Sequence, residues 1–393
     1  MRDGHTKKLF NNKMENSSVV LCLDVIGEII SFLEDQETFF NVYILSKRVK
    51  CYIENTNPKC SRNVLFYAKR LPNKSLKSFI SKLKVLFELT NDDLKYFTGI
   101  NQLKFPGDTN ITDEGLKYLR GIKALYLYYN KNITDEGLKY LKGIKELDLC
   151  SNIMITDKGL KYLKGIQNLC HSYNENITDE GLKHVTGIKI LYLSCYKNIT
   201  NDGLRYLTGI KELYLSCNAK ITDEGLKHLT GIKILYLNCN IMITDKGLKH
   251  LTGIKQLYLY SNVTVMDEVL WSIRSNIMIT DEGLEYLKGI QNLYINFNNS
   301  ITAEGLKHLT GIKVLYFGSN ENITDEGLKH LTGIKILSLG CNEIITDEGL
   351  KHLKGIKELD LCLNTNITDV GVKYLTGFQK LIIHHKEIIG EKK

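Results

Sequence analysis

The chain is poor in proline and tryptophan, and it has no long apolar run. Its 393 residues include 3 prolines and 1 tryptophan. Because no stretch of 18 or more residues is wholly apolar, the sequence predicts no membrane span. Residues 1–18 are polar and lack the apolar core of a secretion signal, so we expect a disordered lead there. A glycine-rich phosphate loop, a nucleophile elbow and paired catalytic carboxylates are also missing, so we expect no enzyme and no cofactor.

The surplus of positive charge is confined to the first part of the chain. Residues 1–85 carry 15 Lys or Arg against 8 Asp or Glu, whereas the remaining residues carry 37 against 36. Most of the surplus lies in one tract: Lys59, Arg62, Lys69, Arg70, Lys74, Lys77, Lys82 and Lys84. A nucleic-acid-binding solenoid would show a net basic stripe, so we do not expect a nucleic-acid partner. Residues 56–83 are either a solvated connector helix or a contact for an acidic partner.

Ten cysteines occur without the compact spacing of a disulfide framework. This usage predicts free thiols and a reducing compartment, the cytoplasm or the nucleus. Three cysteines share one position of the repeat described below: Cys195, Cys217 and Cys239. A histidine column follows the same repeat, and each member comes after a lysine whose charge opposes a bound cation: His184, His228, His250, His308, His330 and His352. We therefore predict no metal site.

Most of the chain consists of copies of one unit, as in ITDEGLKYLKGIKELDLCSN at residues 133–152. The dipeptide Ile-Thr returns every 22 residues, at Ile111, Ile133, Ile155, Ile177, Ile199, Ile221 and Ile243. After one step of 36 residues it resumes at Ile279, Ile301, Ile323, Ile345 and Ile367. A fixed period in the twenties is typical of a solenoid, in which each unit packs on its neighbours. No dedicated cap is recognisable near Ile389, where the next copy would begin.

Each unit reads as one short strand followed by one short helix. Leu147 and Leu149 alternate with polar residues and should point inward from a strand. Asn152 follows, where a buried amide can satisfy main-chain groups of neighbouring coils. Thr134 is a candidate helix N-cap, and Gly143 is placed to end the helix in a left-handed conformation. The helix presents one apolar face: Leu138, Leu141 and Ile144.

Two motifs of this unit carry a family resemblance. The pattern L-x-L-x-x-N from Leu147 to Asn152 resembles the leucine-rich repeat, and Ile-Thr-Asp-x-Gly-Leu is similar to the cysteine-containing subclass found in F-box proteins. The resemblance implies an α/β leucine-rich-repeat solenoid over residues 84–393, with a parallel inner sheet and short convex helices.

Residues 19–55 carry a second resemblance. Asp24 precedes an apolar helical face, and the order of leucine, acidic residue, E-I-I-x-x-L, acidic loop, leucine and S-K-R resembles an F-box. Two departures are the absence of a proline after the first leucine and of a late tryptophan. The resemblance implies a small all-α domain that binds the Skp-type adaptor of a cullin–RING ubiquitin ligase through Leu23, Val25, Ile26, Ile29, Ile30, Leu33 and Leu45. The alternative is a helical cap for the solenoid.

The 36-residue step marks one break in the period. Only 14 residues separate Asn262 from Asn276, so residues 263–276 read as a truncated coil. Trp271 and Ile273 align with the inward leucines of a strand. We therefore predict that the inner sheet runs on through residues 271–273 and that the convex helix is lost. The alternative is that a helix over residues 266–273 remains and the strand is lost, which would split the sheet.

The outward position between the two strand leucines is the candidate binding surface. It holds tyrosine in seven coils: Tyr126, Tyr192, Tyr214, Tyr236, Tyr258, Tyr294 and Tyr316. Tyrosine is enriched at protein interfaces, and we expect these rings to face solvent and contact a partner. Inheritance of one tyrosine by duplication is the alternative.

Together these features predict a substrate receptor of a Skp-cullin-F-box type ubiquitin ligase. By resemblance, its partners would be the adaptor and the cullin, and the concave face would bind a protein substrate. The alternative is an interaction scaffold without a ligase link. The richness in Lys, Asn, Ile and Tyr also fits the AT-rich genome of a large DNA virus, and the host-cell cytoplasm would then be the location.

Overall fold

The computed structural model describes residues 90–105, 110–127, 129–171, 175–193, 198–215, 218, 220–237, 242–259, 279–296, 298–318, 320–383 and 386–389. All of them belong to one compact unit, Leu65–Lys393. The predicted lead, F-box-like segment and basic connector lie outside the described residues. Within the described ranges, no helix has both the length and the apolar character needed to cross a bilayer.

In this part of the chain, fourteen strands form one sheet in sequence order. The strands are β1 Gln102–Lys104, β2 Ala124–Tyr126, β3 Glu146–Asp148, β4 Asn168–Cys170, β5 Ile190–Tyr192, β6 Glu212–Tyr214, β7 Ile234–Tyr236, β8 Gln256–Tyr258, β9 Asn292–Tyr294, β10 Val314–Tyr316, β11 Ile336–Ser338, β12 Glu358–Leu361, β13 Lys380–Ile383 and β14 Lys386–Ile389. Neighbours from β1 to β13 are parallel and pair residue for residue along the repeat. The predicted parallel inner sheet is confirmed.

The other half of most coils is a single turn of α-helix, usually continued by one turn of 3₁₀-helix, and the coils at Asn91–Phe97 and Gly305–Leu309 have 3₁₀-helix alone. The α-helices are Asp113–Leu116, Asp135–Leu138, Asp157–Leu160, Asp179–Leu182, Asn201–Leu204, Asp223–Leu226, Asp245–Leu248, Asp281–Glu285, Asp325–Leu328, Asp347–Leu350 and Asp369–Val372. The 3₁₀-helices are Asn91–Phe97, Lys117–Leu119, Lys139–Leu141, Lys161–Leu163, Arg205–Leu207, Lys227–Leu229, Lys249–Leu251, Gly305–Leu309, Lys329–Leu331 and Lys351–Leu353.

Local chemistry begins and ends the helix of residues 135–138 as predicted. The Thr134 hydroxyl accepts a hydrogen bond from the Glu136 N–H at 3.2 Å, so Thr134 is the N-cap of Asp135–Leu138. Gly143 has a φ of 85°, a left-handed conformation that glycine adopts without a steric penalty. The apolar residues of this coil form one continuous core with those of its neighbours: Ile133, Leu138, Leu141, Ile144, Leu147 and Leu149.

The buried asparagines tie successive coils together. Asn342 is fully buried, and its Nδ2 donates to the carbonyls of Asn320 and Ile323, each at 2.8 Å. Its Oδ1 accepts from the N–H groups of Ile344 and Ile345, at 3.0 and 3.1 Å. The predicted role of the asparagine position is therefore confirmed here.

A second set of bonds joins the helical halves. Asp135 accepts from the Thr156 N–H at 2.8 Å and from the Thr156 hydroxyl at 2.6 Å, across one coil boundary. We call this position the aspartate column, and it makes the same pair of bonds through Asp113, Asp157, Asp179, Asp223, Asp245, Asp281, Asp325 and Asp347. Ala303 occupies the position in one coil, and the facing Thr324 makes no side-chain cap.

The aspartate column also explains the glycine in the Thr-Asp-x-Gly pattern. A Cβ atom added to Gly159 would lie 2.3 Å from Asp135 Oδ1, which is far inside the contact distance. Gly159 therefore leaves the room that the aspartate of the preceding coil occupies.

The predicted continuation of the sheet through Trp271 is wrong, and so is the alternative of a split sheet. Strand β8 pairs directly with β9, and the Leu259 N–H donates to the Tyr294 carbonyl at 2.9 Å. In the helical half, Asp245 accepts from the Thr280 N–H at 2.9 Å. The 36-residue step is therefore one coil with 14 additional residues between its strand and its helix. Residues 263–276 are not a truncated coil, and their own structure lies outside the described residues.

The C-terminal edge of the sheet has a cap that the sequence did not reveal. Strand β14 turns back and pairs antiparallel with β13, from Lys380↔Ile389 to Ile383↔Lys386. This pairing covers main-chain groups of the last parallel strand, which would otherwise form an open edge.

Candidate functional site

The seven predicted tyrosines lie where the sequence placed them, at the last residue of a strand. Six of them stack face to face without interruption. The ring centroids are 3.9 Å apart for Tyr192 and Tyr214, and 4.3 Å for Tyr214 and Tyr236. The next separations are 3.7, 4.2 and 4.6 Å, through Tyr258 and Tyr294 to Tyr316. We call these six residues the tyrosine stack. It runs unbroken past the 14-residue insertion because β8 and β9 are direct neighbours.

Stacking corrects the expectation that each ring stands in solvent. Parallel strands lie about 4.8 Å apart, so rings in one column meet their neighbours face to face. Tyr258 is only 9% exposed, and the other stack members are half-buried. Flat faces inside the stack are therefore covered by other rings. A partner bound along the stack would meet ring edges and hydroxyl groups.

Burial raises the pKa of three phenols of the stack. Burial is the main reason that the pKa of Tyr258 is raised to about 12, and the neighbouring Tyr236 raises it further. Burial also raises the pKa of Tyr214 and of Tyr316. The Tyr258 hydroxyl donates to Gln256 Oε1 at 3.2 Å. Neutral hydroxyl groups both donate and accept hydrogen bonds, so the stack offers a polar row along an apolar body.

Tyr126 does not belong to the stack, because Asp148 and Cys170 occupy the next two column positions. Its hydroxyl donates to Glu146 Oε1 at 2.6 Å, and the Lys104 ammonium lies 5.7 Å from its ring centroid. Burial and the hydrogen bond to Glu146 raise its pKa. Tyr126 is thus held by charged neighbours at one end of the groove.

Small and acidic side chains flank both ends of the stack. Beyond Tyr316, the Ser338 hydroxyl donates to Asp360 Oδ2 at 3.1 Å. Beyond Tyr192 lie Cys170, Cys150 and Asp148, and the structure joins Cys150 to Cys170 by a disulfide with Cα atoms 5.8 Å apart. The prediction of free thiols is wrong for this pair, whereas Cys341 and Cys362 remain thiols. The column Cys195, Cys217 and Cys239 lies outside the described residues.

The cysteine pair escaped sequence reasoning because its members are 20 residues apart, not 22. They occupy different positions of the repeat, so aligning the repeats does not place them in one column. Diagonal neighbours on one sheet face are nevertheless close enough to react. The alternation of side chains along a strand could have revealed the pair, because it places both cysteine side chains on the outward face.

His171 takes an inward position that other coils fill with an apolar residue. It is fully buried, and burial lowers its pKa to about 4. The neutral imidazole is therefore a core residue and not a groove residue. The convex histidines, in turn, form no group of three ligands: among the described residues, the one such group is Asp148, Cys150 and Cys170.

The predicted adaptor-binding residues lie outside the described residues: Leu23, Val25, Ile26, Ile29, Ile30, Leu33 and Leu45. The candidate site that the structure describes is therefore the outward face of the strands alone.

Comparison with known proteins agrees with this geometry. The family described as Leucine Rich repeat matches residues 208–230 and 330–354. An internalin from Listeria monocytogenes is 24% identical, with a TM-score of 0.54 over 79% of this chain and 95% of that chain. A chain from the Rad7 and Elc1 complex in yeast is 18% identical, with a TM-score of 0.53 over 90% of this chain and 98% of that chain. No curated protein matches the sequence.

The chain has the leucine-rich-repeat solenoid fold. In functional terms it is a scaffold for protein interaction.

Replacing Tyr236 by alanine should lower the free energy of unfolding by about 2 kcal/mol, because the change removes two ring contacts worth about 1 kcal/mol each. Tyr236→Phe keeps both contacts and should remain within about 0.5 kcal/mol of the wild type. Urea unfolding and near-ultraviolet circular dichroism measure the two effects. Equal stability of the alanine and phenylalanine variants would show that the stack contributes nothing.

Proposed function

We propose that the chain is the substrate receptor of a Skp-cullin-F-box type ubiquitin ligase. The groove would hold a protein substrate, residues 19–55 would bind the adaptor, and ubiquitin transfer would be carried out by the conjugating enzyme of the assembly. The observation that carries substrate binding is the tyrosine stack, an aromatic surface of six side chains in one groove. Aromatic residues of this kind dominate the binding energy of protein interfaces.

The ligase link is supported by the order of segments along the chain. The F-box-like segment stands directly ahead of the repeats, with a connector of residues 56–83 between them. A chain of similar fold occurs in the yeast complex of Rad7 and Elc1, which is an assembly of two proteins. An adaptor bound to residues 19–55 would similarly make this solenoid one subunit of a larger assembly.

The groove also favours a polar, hydrogen-bonding substrate surface over a flat sugar or base. Rings inside the stack present edges and hydroxyls, because each face lies about 4 Å from the next ring. Face-on stacking of a ligand is therefore limited to the two ends of the stack. A folded protein or an extended peptide can reach the row of hydroxyls along its whole length.

The test is a pull-down of the full-length chain with a purified Skp-type adaptor. We expect retention by the full-length chain and loss after deletion of residues 19–55, with the solenoid still folded by circular dichroism. Ile29→Asp and Leu33→Asp should imitate the deletion, because the docking helix must bury both side chains. Adaptor retention in the deletion variant would refute the F-box assignment.

The matched control is the pair Tyr214→Ala and Tyr236→Ala. These variants should keep the adaptor and lose co-purifying substrate, since each interface tyrosine is worth about 2 kcal/mol. A full-length chain that captures a partner through the stack but never binds an adaptor would be a scaffold without a ligase link.

A further inference from the structure

Three side chains at one end of the tyrosine stack form a triangle on the same face of the sheet: Asp148, Cys150 and Cys170. Asp148 pairs with Cys170 across strands β3 and β4, and Cys150 follows Asp148 by two residues on the same face. Their ligand atoms all lie within 4.8 Å of one another, and all three residues are half-buried. They come from two adjacent coils, so the backbone pairing of the sheet holds them together.

The carboxylate of Asp148 is oriented toward this triangle by the main chain. Its Oδ1 accepts a hydrogen bond from the Cys150 N–H at 3.0 Å, which leaves Oδ2 available as a ligand. Within the described ranges, Asp148 takes part in no salt bridge. A ligand held by a backbone hydrogen bond loses little freedom when it binds an ion.

We propose that the reduced pair Cys150 and Cys170, together with Asp148, binds one Zn²⁺ ion or a similar thiophilic divalent cation at the end of the groove. Two thiolates and one carboxylate are ligands that zinc accepts at about 2.0–2.3 Å. The chain supplies three ligands, so the fourth position of a tetrahedral ion faces the groove. Water or a side chain of a bound partner would occupy it.

The site and the disulfide exclude each other, which makes metal binding dependent on redox state. Reduction by a dithiol breaks the Cys150–Cys170 bond, forms two thiols and converts the dithiol into its own disulfide. Binding of the ion then releases the two thiol protons to solvent. Disulfides in reducing compartments are commonly transient, so a reduced state of this pair is expected there.

The other end of the stack provides a matched control within the same chain. Asp360 Oδ1 accepts from the Cys362 N–H at 3.0 Å, as Asp148 does from Cys150. On the following strand, however, Asp360 pairs with Ile382, where Asp148 pairs with Cys170. Cys341 is exposed, and this end forms no three-ligand group among the described residues. The second end therefore has the same backbone arrangement with one ligand missing.

The test uses the full-length chain, reduced with a phosphine and freed of metal by a chelator. We expect one Zn²⁺ per chain in competition with a chromophoric chelator, and a thiolate-to-metal absorption band with Cd²⁺. Cys150→Ser, Cys170→Ser and Asp148→Asn should each weaken binding more than about tenfold, because removing a ligand exceeds the effect of removing an outer partner. Cys362→Ser should bind as the wild type does, and the oxidised chain should bind no ion.

Three results would overturn the proposal. They are undiminished binding by Cys170→Ser, equal loss in Cys362→Ser, and binding by a chain whose Cys150–Cys170 disulfide is verified by mass spectrometry. Circular dichroism of each variant separates ligand loss from unfolding. The outcome is independent of adaptor binding, which involves residues 19–55.

Discussion

Replacing Gly247 by alanine is expected to lower the free energy of unfolding by about 3 kcal/mol. The added Cβ would lie 2.3 Å from Asp223 Oδ1. That carboxylate can leave only by giving up its bonds to the Thr244 N–H at 2.8 Å and the Thr244 hydroxyl at 2.6 Å. The higher helix propensity of alanine recovers at most about 1 kcal/mol. Denaturant unfolding measures the total, and hydrogen exchange of the neighbouring coils locates it.

A double-mutant cycle tests the cause. In the background of Asp223→Ala, the Gly247→Ala change should cost less than half as much, because the oxygen that it would meet is gone. Gly327→Ala is the natural control: it faces Ala303, and its nearest contacts would be at 3.0 Å. Equal costs at Gly247 and Gly327 would show that glycine serves the helix backbone and not the aspartate of the preceding coil.

Replacing Asn342 by alanine is expected to cost at least about 3 kcal/mol, because a buried donor or acceptor left without a partner costs about 1–3 kcal/mol. The amide serves two carbonyls and two N–H groups in a fully buried position. Unfolding in urea gives the total, and exchange of the amides in β11 and β12 gives the local effect.

Asn198→Ala is the matched comparison for this change. Asn198 also donates to a carbonyl, that of Glu175 at 2.8 Å, but it is exposed, so water can replace the lost bond. We expect a loss of less than about 1 kcal/mol there. Similar losses at the two positions would indicate that burial of the Asn342 amide does not determine its contribution.

The features that the sequence predicted correctly are those that depend on position within one coil. Alternation along the strand predicted that Leu147 and Leu149 point inward. The place of Thr134 before the helix predicted the N-cap, and the place of Gly143 after it predicted a left-handed conformation. Each follows from chemistry within about 20 residues. The same reasoning put the tyrosines on the outward face of the strands.

The predictions that were wrong depended on which coils are neighbours in space. A 36-residue step fits either a short extra coil or one coil with 14 inserted residues, and the alignment of Trp271 and Ile273 with the inward leucines favoured the wrong choice. The pairing of β8 with β9 decides it, and that pairing is a contact in space. The stacking of the rings was deducible, since strand spacing is known and close to the separation of two aromatic planes.

The uniform boundary between coils has a consequence for how this protein can change over evolutionary time. Coils from Ile190 to Tyr258 meet their neighbours through the same strand register, and each one adds a single ring to the stack. Gain or loss of one 22-residue unit by unequal recombination would therefore lengthen or shorten the row of hydroxyls by one step of about 4.8 Å and leave every other contact intact. The number of copies would then act as a molecular ruler, matched to the length of the bound surface.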